Sequence, residues 1–197
     1  MRPIHVFWDN SNIFLGAKTV FRTLNRSFPY AARIDFHNLY RLATVGRTVA
    51  GAFCVGSVPP ELAAVWKSLE KSTGIRPELF ERGADSNTEQ AVDQALQVHM
   101  LRALSDAEEP GVAVLLTGDG AGYFSGVGFH ADLERMHKKG WGIEILSWET
   151  CCNNRMQAWA TEVGKFIKLE DYLNQIVFEA HTTQVPAINL KNREVVK

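Results

Sequence analysis

Short apolar runs rich in β-branched and aromatic residues alternate along this chain with longer stretches in which apolar residues recur at helical spacing. This alternation is typical of βα units, in which each strand leads through a helix into the next strand of a parallel sheet. The predicted strands are Ile4–Trp8, Thr48–Val55, Pro77–Glu81, Val112–Thr117 and Gly142–Ser147. The pattern therefore predicts an α/β fold around a mostly parallel sheet of about five strands.

Helices are predicted between these strands from their capping residues. Pro59 and Pro60 suit the first turn of one helix, and Asn87 or Thr88 can cap a second that runs to about Leu104. Another helix is predicted from Phe129 to Lys139, since its two final lysines and Gly140 suit a helix C-terminus. A further helix is predicted from about Asn154.

The chain is interpreted as one domain followed by a tail. With 197 residues, of which 46% are hydrophobic, it is long enough to bury one sizeable core. The domain is predicted to span residues 1–179, and the polar residues 180–197, which lack periodicity, to form a poorly ordered or peripheral tail. The segment Phe166–Phe178 is apolar but ambiguous between helix and strand. It could pack on the sheet or on a partner, which leaves a homo-oligomer open.

Charge and composition exclude several classes of protein. The formal net charge is -1, so no global positive field draws the protein onto nucleic acid, and any such binding must use a local patch. No apolar stretch approaches the ~18 residues of a membrane span, and the first apolar run is too short for a signal peptide. The three cysteines lack the spacing of a zinc site or a disulfide framework. We expect a cytoplasmic protein with no membrane partner.

Aspartates follow two of the predicted strands directly. Asp9 precedes the small polar residues Asn10–Asn12, which suit a turn, and would point into solvent there. Asp119 stands between two glycines just after the fourth predicted strand. In open α/β sheets, ligands bind beyond the carboxyl ends of strands where the strand order reverses, and these two strands commonly flank that point. We therefore expect Asp9 and Asp119 to face one another.

Two more acids lie near the start of the predicted helix after Asn87. Glu89 and Asp93 are four residues apart and so share one helix face. A favourable interaction with the helix dipole on a solvated face would explain both. Asp93, however, lies within the apolar run Ala91–Leu96, where an unpaired carboxylate costs free energy. Carboxylate oxygens from several elements, with no His or Cys cluster, favour Mg²⁺ or Mn²⁺ over zinc.

Three segments, HVFWDNSNIF, EQAVDQAL and LLTGDG, occur in this order and together resemble the NYN family of PIN-like ribonuclease domains. The resemblance covers roughly Ile4 to Trp148 and is strongest for the subgroup whose first motif reads WDNSNIF. It implies a PIN-like Rossmannoid fold of three layers and cleavage of RNA with a divalent metal. It also implies that Asp9, Asp93 and Asp119 occupy the family's acidic positions, and Asn12 the polar position of its first motif.

The chain departs from the family pattern at two places. The family often has a second aspartate six residues after the helix one, where this chain has His99, and often reads GDSDF where this chain has 118–122 as GDGAG. Glu89 is then the candidate fourth acid, orienting water or binding a second ion. The principal hypothesis is a metal-dependent endoribonuclease. The alternative is an RNA-binding or scaffold domain of the same fold that is catalytically weak or inactive.

Candidate substrate contacts are the polar and basic side chains near predicted element ends. They are Ser11, Asn12, Lys18, Arg82, Lys138 and Lys139, although a solvated surface charge is the simpler explanation of each basic residue taken alone. Tyr123 and Phe124 could stack an unpaired base, which would favour single-stranded RNA, or could pack on the core. A third hypothesis is nucleotide binding, because 126–131 fits G-x-G-x-x-A, but that fingerprint should directly follow a strand.

Overall fold

A computed structural model describes residues 1–24, 32–58, 63–81, 88–117, 126–179 and 185–197. The strands are β1 (Ile4–Asp9), β2 (Ala32–Ile34), β3 (Val49–Val58), β4 (Glu78–Glu81), β5 (Val112–Leu116), β6 (Gly142–Ser147), β7 (Lys165–Lys168) and β8 (Val177–Glu179). The helices are α1 (Asn10–Thr23), α2 (Phe36–Thr44), α3 (Ala63–Thr73), α4 (Thr88–Asp106), α5 (Phe129–Lys138), α6 (Asn154–Val163) and α7 (Leu173–Ile176). A 3₁₀ turn covers Leu169–Tyr172. None of the described helices is long and apolar enough to cross a membrane.

The central sheet is parallel and has the strand order β4-β3-β1-β5-β6-β7. The predicted strands correspond to β1, β3, β4, β5 and β6, so the α/β class and the parallel sheet are confirmed. The prediction of about five strands was one short, because β7 adds a sixth at the edge. With only four residues, β7 is too short for periodicity to distinguish it from a helix.

Helices cover both faces of this sheet, which gives the three layers. Alternate residues of β1 point to opposite faces, so Trp8 is buried with α1, α2, α3 and α7, whereas Phe7 is buried with α4, α5 and α6. Each face is filled by large apolar side chains such as Leu39 and Leu69 on the first, and Leu96 and Met136 on the second. Burial on both faces explains why the strands are nearly continuous apolar runs.

The ambiguous segment Phe166–Phe178 contains both helix and strand. It comprises most of β7, the 3₁₀ turn, α7 and the start of β8. β8 pairs antiparallel with β2 to form a two-stranded ribbon separate from the main sheet. Ala32 and Ile34 of β2 are buried in the core on the α1 side, so the ribbon is anchored against that face.

The C-terminal segment is part of the folded domain. Ile188 and Arg193 are buried. An Arg193 Nη donates to Glu144 Oε2 at 2.6 Å, and the backbone N–H of Val196 donates to Glu144 Oε1 at 2.8 Å. The expectation of a poorly ordered or peripheral tail is therefore wrong for residues 185–197. The segment is held in the fold because the buried carboxylate of Glu144 needs hydrogen-bond donors, and Arg193 and the Val196 backbone N–H supply two of them.

Candidate functional site

The strand order reverses between β1 and β5. From β1 the chain continues to β3 and β4 on one side, and β5, β6 and β7 follow on the other side. Trp8 and Leu116 are register partners, so the residues that follow them, Asp9 at the end of β1 and Thr117 just after β5, lie at the same level of the sheet. This confirms that these two strands flank the reversal, where open α/β sheets bind ligands. Asp119 itself lies outside the described residues, two positions beyond Thr117.

Asp9 ends β1 and caps α1. Its Oδ1 accepts a hydrogen bond from the Asn12 backbone N–H at 3.0 Å, and its Oδ2 accepts one from Asn12 Nδ2 at 2.6 Å. The carboxylate is therefore fixed at the positive end of the α1 dipole. Asp9 is only 1% exposed, so the expectation that it points into solvent is wrong. The cause is the cap, which turns the side chain back onto its own helix.

Two buried oxygen atoms beside Asp9 have no hydrogen-bond partner among the described residues. They are Oδ1 of Asn10, a residue 7% exposed, and Oγ1 of Thr117, a residue with 0% exposure. A buried unpaired oxygen costs about 1–3 kcal/mol, so such atoms are rare without a compensating ligand. Carboxylate, amide and hydroxyl oxygens are the hard donors that Mg²⁺ and Mn²⁺ prefer, and these three residues occupy neighbouring positions of this edge.

Cys54 lies beside this edge in β3, where it is the register partner of Trp8. Burial raises the pKa of its thiol well above the ordinary value, and the negative charge of Asp9 raises it further. The thiol is therefore neutral near physiological pH. A neutral thiol is a poor nucleophile and a poor ligand for hard metal ions, so Cys54 contributes packing to the edge.

Asp93 is the sixth residue of α4 and is half-buried. α4 follows β4 and leads into β5, so it begins at the same edge of the sheet as Asp9. One turn further along, Gln97 Nε2 donates to Asp132 Oδ2 of α5 at 2.7 Å, so this row of α4 faces α5. The side chain of Glu89 is outside the described residues. Within the described part of the chain, no three His, Cys, Asp or Glu side chains form a potential metal cluster.

Asp132 is a buried acid that sequence reasoning missed. Besides Gln97, it contacts Arg135, whose Nη1 lies 2.6 Å from Oδ1. Phe129, Asp132 and Met136 recur at helical spacing on the buried side of α5. A carboxylate within an apolar stripe is the signal that singled out Asp93, and it would have found Asp132 too.

His99 takes the place at which the family often has a second aspartate. Its ring stacks on Phe53 with centroids 4.4 Å apart, and its Nε2 lies 2.9 Å from Glu78 Oε2. These contacts join α4 to β3 and β4. At this position the chain therefore uses an aromatic packing residue, not a carboxylate.

The described basic and hydroxyl side chains among the candidate substrate contacts lie at two different edges of the sheet. Ser11 and Lys18 line a cleft of about 730 Å³ beside Asp9, where Ser11 Oγ accepts a hydrogen bond from the Ser57 backbone N–H at 3.4 Å. Lys138 ends α5 next to the start of β6, at the opposite edge of the sheet. Arg82 lies outside the described residues, as do Tyr123 and Phe124.

The glycine pattern at 126–131 leads into α5. Gly128 precedes the helix with φ 99°, a conformation that favours glycine. β5, however, already ends at Leu116. The pattern therefore does not follow β5 directly, as a dinucleotide-binding fingerprint would.

Comparisons with known proteins find similarity to a family model and to a solved structure. The family model described as the NYN domain matches residues 3–170. A solved structure of a protein of unknown function from Vibrio parahaemolyticus RIMD 2210633 is similar, with a TM-score of 0.60 and 13% identity. The match covers 86% of this chain and 94% of that one, and at this identity it shows a common fold alone. A search among curated proteins finds no match.

Proposed function

This chain belongs to the NYN domain family, whose members are generally PIN-like nucleases, and we propose that it is a metal-dependent endoribonuclease acting on single-stranded RNA. The observation that carries the proposal is the arrangement of Asp9. Its carboxylate is buried where the strand order reverses, both its oxygens are held by Asn12, and unpaired oxygens of Asn10 and Thr117 lie on the residues around it. This combination supports a site for a divalent cation better than it supports a purely structural cap.

The proposed metal ligands are Asp9, Asp93 and Asp119, and Glu89 would orient water or bind a second ion. A bound Mg²⁺ or Mn²⁺ would lower the pKa of water and stabilise charge on the scissile phosphate. Position supports this set, since Asp9 ends β1, Asp119 comes after the adjacent strand β5, and Asp93 lies near the start of a helix that begins at the same edge. Lys138 is left out of the proposed site because it lies at the other edge.

The side chains around Asp9 have separate roles in this proposal. The Asn12 amide holds the Asp9 carboxylate in one orientation, so its oxygens are arranged before any ligand arrives. Burial lowers the local dielectric constant and strengthens the attraction between Asp9 and a cation. Ser11 and Lys18, on the following turns of α1, would contact the phosphates of the bound strand.

The test is cleavage of end-labelled single-stranded RNA in Mn²⁺, Mg²⁺ or EDTA. We expect cleavage with metal and none in EDTA. Asp9→Asn, Asp93→Asn and Asp119→Asn should each abolish it. Asp106→Asn is the matched control, because Asp106 is an exposed acid at the far end of α4. Equal cleavage by the wild type and the Asp119→Asn protein would reveal a contaminating nuclease and contradict the proposal.

Metal binding can be measured without RNA. A cation that binds only the folded state at 100 times its dissociation constant stabilises the protein by about 2.7 kcal/mol. Mn²⁺ should therefore raise the Tm of the wild type, and Asp93→Asn should remove most of this shift while Asp106→Asn keeps it. The absence of any shift in the wild type would contradict the metal site.

The second candidate function is an RNA-binding or scaffold domain without efficient chemistry. The stacking of His99 on Phe53 favours it, because the family's second acid is replaced by a packing residue. RNA binding retained with no cleavage in any metal would decide for this function.

A further inference from the structure

The cleft beside Asp9 is bounded by α1, α3, β3 and the β2–β8 ribbon. Its volume of about 730 Å³ lies within the ~300–1,000 Å³ typical of ligand sites. Ser11 of α1 and Ser57 of β3, which are hydrogen-bonded to each other, line it together with Trp66 of α3. The indole Nε1 of Trp66 has no hydrogen-bond partner among the described residues. The cleft therefore adjoins the proposed metal site, since Asn10 and Ser11, the two residues after Asp9, both line it.

The ribbon contributes a cation and an aromatic ring side by side. Arg33 and Phe178 are register partners in the antiparallel pairing of β2 with β8. Because Ala32 and Ile34 face the core, Arg33 and Phe178 share the opposite face of the ribbon. Arg33 is exposed and Phe178 is half-buried, and both line the cleft.

α1 contributes a second pair of the same kind. Phe14 and Lys18 are one helical turn apart, and Lys18 Nζ lies 4.9 Å from the centroid of the Phe14 ring. Both residues line the cleft with Arg33 and Phe178. Two different elements thus place a positive charge beside an aromatic face within one cavity.

Charge indicates what such a cavity binds. The described lining residues include two basic side chains, Lys18 and Arg33, and no acidic one. A second groove, of about 1300 Å³ at the amino edge of the sheet, also contains arginines but is lined by the acids Asp106, Glu108 and Glu109. In a chain with a net charge of -1, the cleft is therefore a local patch that suits an anion.

We infer that this cleft binds unpaired nucleotides of the RNA strand, with bases stacked on Phe14 and Phe178 and adjacent phosphates contacting Lys18 and Arg33. Aromatic faces combined with cations are the means by which proteins bind single strands, because every base has a π-face. A duplex would present no free base to these rings. The inference rests on the proposed function for the identity of the ligand. It deepens that proposal by adding Arg33, Phe14 and Phe178 to the site.

The test measures binding of a fluorescent oligouridine by anisotropy in EDTA, where the proposed cleavage does not occur. Phe14→Leu and Phe178→Leu keep apolar packing but remove the aromatic face. Each should weaken binding by about 5-fold to 150-fold, the range for the loss of one stacked base. Lys18→Ala and Arg33→Ala should each reduce the slope of log K against log salt by about 0.7. Arg102→Ala, in the acidic groove, is the matched control and should change neither quantity.

The outcomes separate the cleft from the chemistry. Binding that depends on Phe178 and Arg33, without cleavage in any metal, supports the cleft and contradicts the nuclease. Metal-dependent cleavage with unchanged binding in all four cleft variants overturns the cleft and leaves the nuclease standing. Equal affinity for a duplex of the same length, or cross-links from 4-thiouridine RNA that map to the groove around Arg102, would also overturn it.

Discussion

Glu144 lies in the middle of β6 with 0% exposure and is surrounded by hydrogen-bond donors. Arg47 donates to both of its carboxylate oxygens, at 2.7 and 2.8 Å. Arg193 donates a further bond to Oε2 at 2.6 Å, and the backbone N–H of Val196 donates one to Oε1 at 2.8 Å. Replacing Glu144 with glutamine preserves its size but leaves two buried guanidinium groups without a counter-charge.

We expect Glu144→Gln to lower the free energy of unfolding by about 3–5 kcal/mol, the usual cost of removing one partner from a buried ion pair. The amide nitrogen can only donate, so it would also face a donor of Arg47 or Arg193 where an acceptor now stands. Since a domain of this kind is stable by ~5–15 kcal/mol, the loss should be evident in urea denaturation followed by tryptophan fluorescence.

The pH dependence provides an independent check. Burial alone would raise the pKa of Glu144, but hydrogen bonds from Arg47, the charge of Arg193 and the Val196 N–H together lower it below the ordinary 4.5. Because the folded-state pKa is depressed, the stabilisation is present above the unfolded-state pKa and is lost as pH falls through the folded-state value. The wild type should therefore lose stability below about pH 4.5, and Glu144→Gln should lose less.

The matched control is Glu194→Gln. Glu194 lies in the same C-terminal segment as Arg193 but forms an exposed ion pair with Lys165 of β7. Exposed pairs contribute little, so this variant should unfold at nearly the wild-type urea concentration. The reasoning would be refuted if Glu144→Gln cost less than about 1 kcal/mol, well short of what a buried pair is worth. The reasoning would also be refuted if the free energy of unfolding of Glu144→Gln fell as steeply at low pH as that of the wild type.

Two further predictions follow from the packing of β3. A Cβ at Gly56 would overlap Cη2 of the buried Trp66 ring, so Gly56→Ala should cost about 1–3 kcal/mol, and an unchanged Tm would contradict this. Burial raises the pKa of the Cys54 thiol, and the charge of Asp9 raises it further. Iodoacetamide should therefore modify the half-buried Cys151 and spare Cys54 until the protein unfolds. Peptide mass spectrometry checks this, and alkylation of Cys54 in the folded protein would contradict it.

Sequence predicted those parts of the fold that have a strong local pattern. β5 was evident because its five residues are all buried and apolar, and β1 because an apolar run ends abruptly at Asp9. β7 and β8 have four and three residues, and their pairing depends on distant partners that no local pattern reveals. Glu144 illustrates the same limit, because within β6 it looks like a solvent-facing position, whereas its partners Arg47 and Arg193 are 97 and 49 residues away.

In the candidate site, too, residues with a local sequence pattern were predicted and residues joined by long-range pairing were not. Asp9 could be placed from sequence because strand ends at a reversal of strand order have a known location, and the structure puts it there. Its burial was missed because Asn10–Asn12 were interpreted as a turn, whereas they begin α1 and Asp9 caps it by accepting hydrogen bonds from Asn12. Arg33 and Phe178 gave no signal, because they become neighbours only when β2 and β8 pair across the length of the chain.

The residues proposed for the chemistry and those proposed for RNA binding differ in where they lie relative to the family model. The family model ends at residue 170, before α7, β8 and the C-terminal segment. Asp9, Asp93 and Asp119 all lie inside the matched region, whereas Phe178 and Arg193 lie outside it. The acids proposed for the chemistry thus lie within the matched region, whereas Phe178, which contributes to one wall of the cleft, lies beyond it. If both proposals hold, substitutions of Phe178 in β8 should weaken RNA binding and leave the Mn²⁺-induced shift in Tm unchanged.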